Sequence, residues 1–376
     1  MFLFSMGYSQ SVANAAEPWR MIAPTLAHRA LAFLAALSVV VLHGAEGAPE
    51  GLSPSTGRLA VPERAKVFRV SDPKAMTGYE PNGDVIRTML ERGLLAFSGK
   101  KDLASAWRSV VGPEDRVGIK VVSGPGKISG TRVAVVDAIV NGLLLSGIAP
   151  KNVLVWDRHL SDLRQAGFLV LAERYGVRVA GASEAGYDDS AFYESSHIGK
   201  LIWNDHEFGK TGETIGKKSF VSNLVTKEMT KIILVSPLLN HNEAGVNGQL
   251  ASLALGSMDN TLRFETDANR LAVAVPELFA LPQLGDKLTL CVVDALICQY
   301  QGEQLPLLHY SAHMNQLWIS RDPVALDTLS VREIERQRQS AKVPSPRLNW
   351  DLYQNASLLQ LGINDPRQIQ IQDAGL

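Results

Sequence analysis

The chain has 376 residues, 46% of them hydrophobic and 20% charged, with a formal net charge of −1. That length suffices for one large or two modest domains with a sizeable core. Lys and Arg are dispersed and the charge is close to balanced, which removes the electrostatic case for nucleic acid or an anionic membrane surface. The two cysteines, Cys291 and Cys298, cannot hold a four-thiolate iron–sulfur cluster and match no zinc spacing.

The apolar run Ala30–Leu42 follows His28-Arg29 and precedes a small-residue segment, with a cut expected after Gly47. This is the layout of a Sec-type signal peptide over residues 1–47, with Met21 as an alternative start. A membrane span takes about 20 residues, so the run is short for one; an uncleaved anchor is the other reading. Export to the periplasm or the medium is the expectation, and it implies an oxidising compartment. On one extended segment the two cysteines would lie roughly 23 Å apart at about 3.3 Å per residue. That is beyond disulfide reach, so a bridge would need a turn near Asp294.

Residues 48–80 read as a linker, rich in Ser, Pro and Gly, leading to an extended Lys66–Val70. Asp84 caps a helical pattern through Val85, Met89, Leu90 and Leu94, and Asp102–Val111 gives another. Asp115–Ser123 reads as the first core strand, followed by the glycine-rich turn Gly124–Gly130 and an amphipathic helix from Thr131 to Gly147. The turn could hold a phosphate at a helix N-terminus, or it is a tight loop without ligand; it matches no nucleotide fingerprint. Asn152–Asp157 is the next strand, and strand–helix–strand in this rhythm indicates a right-handed parallel unit. Asp162–Tyr175 reads as one helix and Val177–Ala180 as a short strand.

Ala185–Lys218 carries Tyr187, Phe192, Tyr193, Trp203 and Phe208 without helical period. It reads as a β-hairpin insertion, lid or ornament, with Asp205-His206-Glu207 solvated. The apolar run from Lys231 reads as a strand ending in a polar strand-to-helix loop that presents His241 and Asn242, with helices expected from Val246 to Leu255 and from Asn269 to Phe279. Leu288–Asp294 and Leu317–Arg321 read as strands, the second leading into a helix capped by Asp322 with Pro323 at its first position. Leu352–Leu361 is a last helix and Gln368–Ile371 an edge strand. The fold class is α/β, a mostly parallel sheet flanked by helices over residues 81–376, with the hairpin inserted near 185–220.

Lys120, Asp157, Arg158, His241, Asn242, Asp294 and Asp327 all fall at expected strand C-termini or just beyond. In a parallel sheet such ends converge on one edge. His241 could be a general acid/base or a metal ligand, or a structural loop histidine. Asp157, His241 and Asp294 form a donor set suited to a divalent metal, or each carboxylate caps a helix or pairs with arginine. Lys120, Arg158 and Asn242 could bind an anionic substrate, or form structural ion pairs.

Six motifs occur in order: Val117-Gly-Ile-Lys120-Val, Val155-Trp-Asp-Arg158, His241-Asn-Glu-Ala-Gly245-Val, Ser252-Leu-Ala-Leu-Gly256, Val293-Asp-Ala295 and Asp322-Pro-Val-Ala-Leu-Asp327. Together the chain resembles the DUF362 family, largely uncharacterised and often exported, over about Asp84–Ile371. Some members carry separate iron–sulfur domains, and no such domain is expected here. Where the family has an asparagine after the Ile-Lys-Val run, this chain has Val122; its lysine before the histidine is Leu239. Its Lys-Asn pair is Ala251-Ser252, and its threonine near the helix start is Asn247. The resemblance implies an exported protein binding a small polar or anionic molecule, with or without a divalent metal, in a cleft at the strand ends. A non-catalytic binding or accessory protein derived from that scaffold is the alternative. Substrate, reaction class and oligomeric state stay open.

Overall fold

The computed structural model describes residues 62–210 and 212–375. The expected signal peptide and the first part of the linker lie outside them. Besides a two-residue pair, Met76–Thr77 with Glu80–Pro81, the strands are β1 (Ala65–Ser71), β2 (Val117–Lys120), β3 (Val153–Asp157), β4 (Arg178–Gly181), β5 (Tyr187–Lys200), β6 (Ile215–Ser222), β7 (Lys231–His241), β8 (Gly245–Val246), β9 (Leu288–Gln299), β10 (Ser311–Ser320) and β11 (Ile369–Asp373). The main sheet has the order β11–β1–β10–β9–β7–β2–β3–β4, with the short β8 folded back on β7. β10 is antiparallel to both its neighbours, and the other pairings along this path are parallel.

The central strands read as unbroken apolar runs because both faces are covered. Every residue of β2 and β3 is buried, as is Ile232 to Asn240 of β7. One face is packed by α1 (Gly83–Ser98), α2 (Leu103–Arg108) and α3 (Val133–Leu145), with Ile86, Trp107, Val136 and Ile139 meeting Ile233, Val292 and Ile319. The Asp162–Tyr175 stretch is broken into α4 (Leu160–Ala166) and α5 (Leu169–Tyr175), since Gly167 at φ 90° ends the first helix in the left-handed region. The other face is packed by α6 (Gln249–Gly256), α7 (Ala268–Phe279), α8 (Pro323–Ser340) and α9 (Trp350–Leu358), through Leu250, Leu253, Leu278 and Leu326 against Leu234 and Val293.

Further sequence expectations need correction. The α/β domain does not start at 81: β1, in the stretch read as linker and extended segment, pairs on both sides within the main sheet. Asn82, not Asp84, caps α1, its side chain accepting from the Val85 amide. Asp294 does not end its strand: β9 runs on to Gln299 through an irregularity in register. Both cysteines therefore lie on β9, buried and free. Asp205 is not solvated; it is 6% exposed and accepts the amides of Ile202 at 2.7 Å and Asn260 at 2.8 Å.

β5 and β6 form the expected hairpin, a separate antiparallel sheet whose connection spans residues 201–214. It is fixed to the body by Arg263. Its guanidinium is buried and donates to Ser219 Oγ at 3.0 Å, Ser195 Oγ at 2.8 Å, and the carbonyls of His197 and Tyr193, each at 3.0 Å. The ring of Tyr193 covers it at 5.4 Å. No freely hinged lid is built this way. Among the described residues no helix is long and apolar enough to cross a membrane.

Hydrogen bonds to a charged donor contribute about 1.5–3 kcal/mol each. Arg263→Ala is expected to speed amide exchange across residues 187–222 strongly while exchange in β2, β3 and β7 stays slow; hydrogen-exchange mass spectrometry reads the difference.

Candidate strand-end site

The chain lays down β2, β3 and β4 in one direction, then returns to place β7 on the other side of β2. That reversal is the topological switch point at which open α/β sheets bind ligands, outside the strand C-termini. Lys120 ends β2 there. Its Nζ donates to the Val121 carbonyl at 2.7 Å, to Asp157 Oδ1 at 2.7 Å and to Ser252 Oγ at 3.1 Å. An ammonium has three donors, and all three are taken. Gly256 lets the lysine lie across α6: a Cβ at that position would stand 2.4 Å from Lys120 Cε.

Asp157, at the end of β3, is equally occupied. Oδ1 also accepts the Arg158 amide at 2.8 Å, and Oδ2 accepts Ser123 N and Ser123 Oγ, both at 2.7 Å. Burial alone would push this carboxyl up. The Lys120 charge and these hydrogen bonds outweigh it and hold Asp157 below the usual carboxylate range.

The remaining candidates are each turned toward a partner. Arg158 donates from Nη1 to Thr261 Oγ1 at 2.8 Å and Glu265 Oε1 at 3.0 Å. Asp294 lies within β9 and takes the Arg132 amide at 2.9 Å and its guanidinium at 3.0 Å. Asp327, on α8, accepts Gln249 N at 2.7 Å and Leu250 N at 2.9 Å, and so caps α6 from another helix. The backbone amide of Asn242 donates to Glu303, whose own amide donates to Asn240 Oδ1 at 3.1 Å; the exposed Asn242 side chain accepts Asn240 Nδ2 at 3.4 Å.

His241 is the last residue of β7, not part of a strand-to-helix loop, and pairs with Gly245 of β8 across a tight turn. Its Nδ1 accepts the amides of Glu243 and Ala244, each at 3.2 Å. An imidazole that accepts at Nδ1 carries its proton on Nε2. Burial lowers its pKa further, against Glu303, Glu265 and Glu243, which pull it up. The Glu303 carboxylate at 3.9 Å therefore faces a neutral ring. In this state Nε2 is a donor. Acting as base or metal ligand there would require a proton on Nδ1 and the loss of both turn hydrogen bonds.

The structure thus brings Lys120 and Asp157 together and gives Arg158, His241, Asn242, Asp294 and Asp327 separate partners. Asp157, His241 and Asp294 do not fit a metal: their lone pairs are engaged, and among the described residues no group of three His, Cys, Asp or Glu side chains is placed to hold one. Val122, Leu239 and Ala251 are interior, at 7%, 0% and 3% exposure. Sequence reasoning missed Arg132, Glu265 and Glu303 as partners. Arg132, just after Thr131 at a helix start, was an available cation for Asp294; nothing in the spacing marked the other two.

Three buried carboxyls are raised: Asp259 to about 6, Asp322 to about 6 and Asp327 to about 7, each by burial working against backbone amides. A carboxyl raised in the folded state holds its proton better there than in the unfolded chain. Its contribution is complete below the ordinary value of 3.8 and is lost as pH climbs through the folded value. The thermal midpoint is therefore expected to fall from pH 5 to pH 8, with a shallower fall in Asp327→Asn. For His241, Asn supplies an acceptor to the turn amides and Ala does not. His241→Asn is expected to melt near the parent, and His241→Ala to lose about 1–3 kcal/mol by denaturant titration.

No family model and no curated protein matches the chain. A solved protein from Thermotoga maritima resembles it at 10% sequence identity and a TM-score of 0.38, over 71% of this chain and 61% of that one. The chain thus spans less than two thirds of that protein's length.

Proposed function

We propose that this chain is a non-catalytic ligand-binding or accessory protein on a DUF362-like scaffold, exported by the signal read at residues 1–47, and that its strand-end cleft has been repacked as structure. The observation that carries this reading is the saturation of Lys120. An ammonium with three protein acceptors has no donor left for a substrate anion. The interior placement of Leu239, Val122 and Ala251 points the same way, since those are the positions where the family pattern has polar groups.

Removing one partner of a buried ion pair leaves an uncompensated charge and costs about 3–5 kcal/mol. Lys120→Met is expected to lose that much in denaturant titration, and Lys120→Met with Asp157→Asn to regain a large part. A Lys120→Met protein as stable as the parent would point instead to a substrate-holding lysine and overturn the reading. Leu239→Lys is expected to destabilise; a gain of anion binding with unchanged stability would indicate a cleft still open at that edge.

A further inference from the structure

A groove lies at the opposite edge of the sheet, where β1 and β9 begin and β10 ends. It has a volume of about 990 Å³, at the upper end of the roughly 300–1,000 Å³ usual for ligand pockets. Its walls are the start of β1, the C-terminal turn of α1, the turn before β9 and the turn from β10 into α8. Four cations line it: Arg64, Lys66, Lys100 and Arg321. All four are exposed, and among the described residues none has an ion-pair partner within 4.0 Å.

Two carboxylates share the lining, Asp286 and Asp322. Asp322 is turned inward: Oδ1 accepts the Ala325 amide at 2.8 Å and Oδ2 the Ile363 amide at 2.9 Å. Asp286 is thus the one lining acid without a capping role, set against four cations in a chain of net charge −1. Arg321 is held in place before any ligand arrives. Its guanidinium lies 5.5 Å from the centre of the Phe97 ring and donates to the Ser109 carbonyl at 3.1 Å. A guanidinium so fixed needs little ordering to receive a carboxylate or phosphate.

We infer that this groove binds a small organic anion carrying two or more phosphate or carboxylate charges, its charged groups at Arg321, Lys100, Lys66 and Arg64 and its body along Phe97. The inference rests on the ligand-binding reading above and gives it a place and a ligand class. The two fail separately, because the Lys120 variants report on the other edge of the sheet.

The test is isothermal titration calorimetry of the full chain with pyrophosphate and with citrate at 50 mM salt. Saturable binding of at least one is expected, weakened at least tenfold in Arg321→Gln and in Lys100→Gln, weakened again at 200 mM salt, and unchanged in Lys227→Gln on the hairpin side. The Lys100 side chain makes no hydrogen bond or ion pair among those described, so Lys100→Gln is expected to keep the parent melting temperature and to carry the test if Arg321→Gln folds poorly. Absence of saturable binding by both anions, or binding undiminished by the groove substitutions, would overturn the inference. Binding of pyrophosphate alone would narrow the class to phosphates, and of citrate alone to carboxylates.

Discussion

Taking an ammonium and a carboxylate out of water costs several kcal/mol for each ion, and the attraction between them offsets this only when every remaining hydrogen-bonding position is filled. Between β2 and β3 that condition is met. Lys120 and Asp157 fill each other's needs together with Val121, Ser123, Arg158 and Ser252. The pair ties the ends of two parallel strands to α6 and to the turn at Ser123. Gly256 follows from it, because nothing larger fits beside the lysine. A network of this kind fixes one arrangement at the point where the sheet reverses its order, which a purely apolar seam would specify less sharply.

The sequence was most legible where the physics is local. The apolar runs at 115–123, 152–157 and 177–180 became strands within a few residues of their expected limits, while β9 and β10 extend well past theirs. Asp322 caps its helix as its position suggested. Less legible was whatever depends on a distant partner. The continuation of β9 past Asp294 is set by pairing with β7 and β10, which residues 288–294 alone do not encode. Gly167 within an apolar helical pattern is compatible with continuation until its dihedral is known.

The candidate site was legible as a list and not as a site. All seven residues were chosen because they stood at strand ends, and several do stand there. His241 is held by amides two and three positions on, but the chemistry of most of the others is decided by distant neighbours, such as Lys120 for Asp157, 37 positions away, and Arg132 for Asp294, 162 positions away. A single sequence carries no sign of whether a polar residue at a strand end faces a partner or a solvent-filled cleft. The groove at the other edge was invisible for the same reason: Arg64, Lys66, Lys100 and Arg321 come from three separated stretches and match no spacing pattern. The two edges of the sheet are thus chemically unlike. One is neutralised by internal pairing, and the other keeps its cations toward solvent.

The place of β1 has a consequence for how the chain reaches this state. β1 lies between β10 and β11, pairing Ala65–Arg69 with Ile369–Asp373 on one side and Phe68–Ser71 with Gln316–Ile319 on the other. Neither neighbour exists until some 240 to 300 residues after β1 has been made. Contacts so distant in sequence form slowly, because loop closure precedes any gain from pairing. A nascent chain therefore carries β1 without either partner until β10 and β11 have been made, so β1 joins the sheet late.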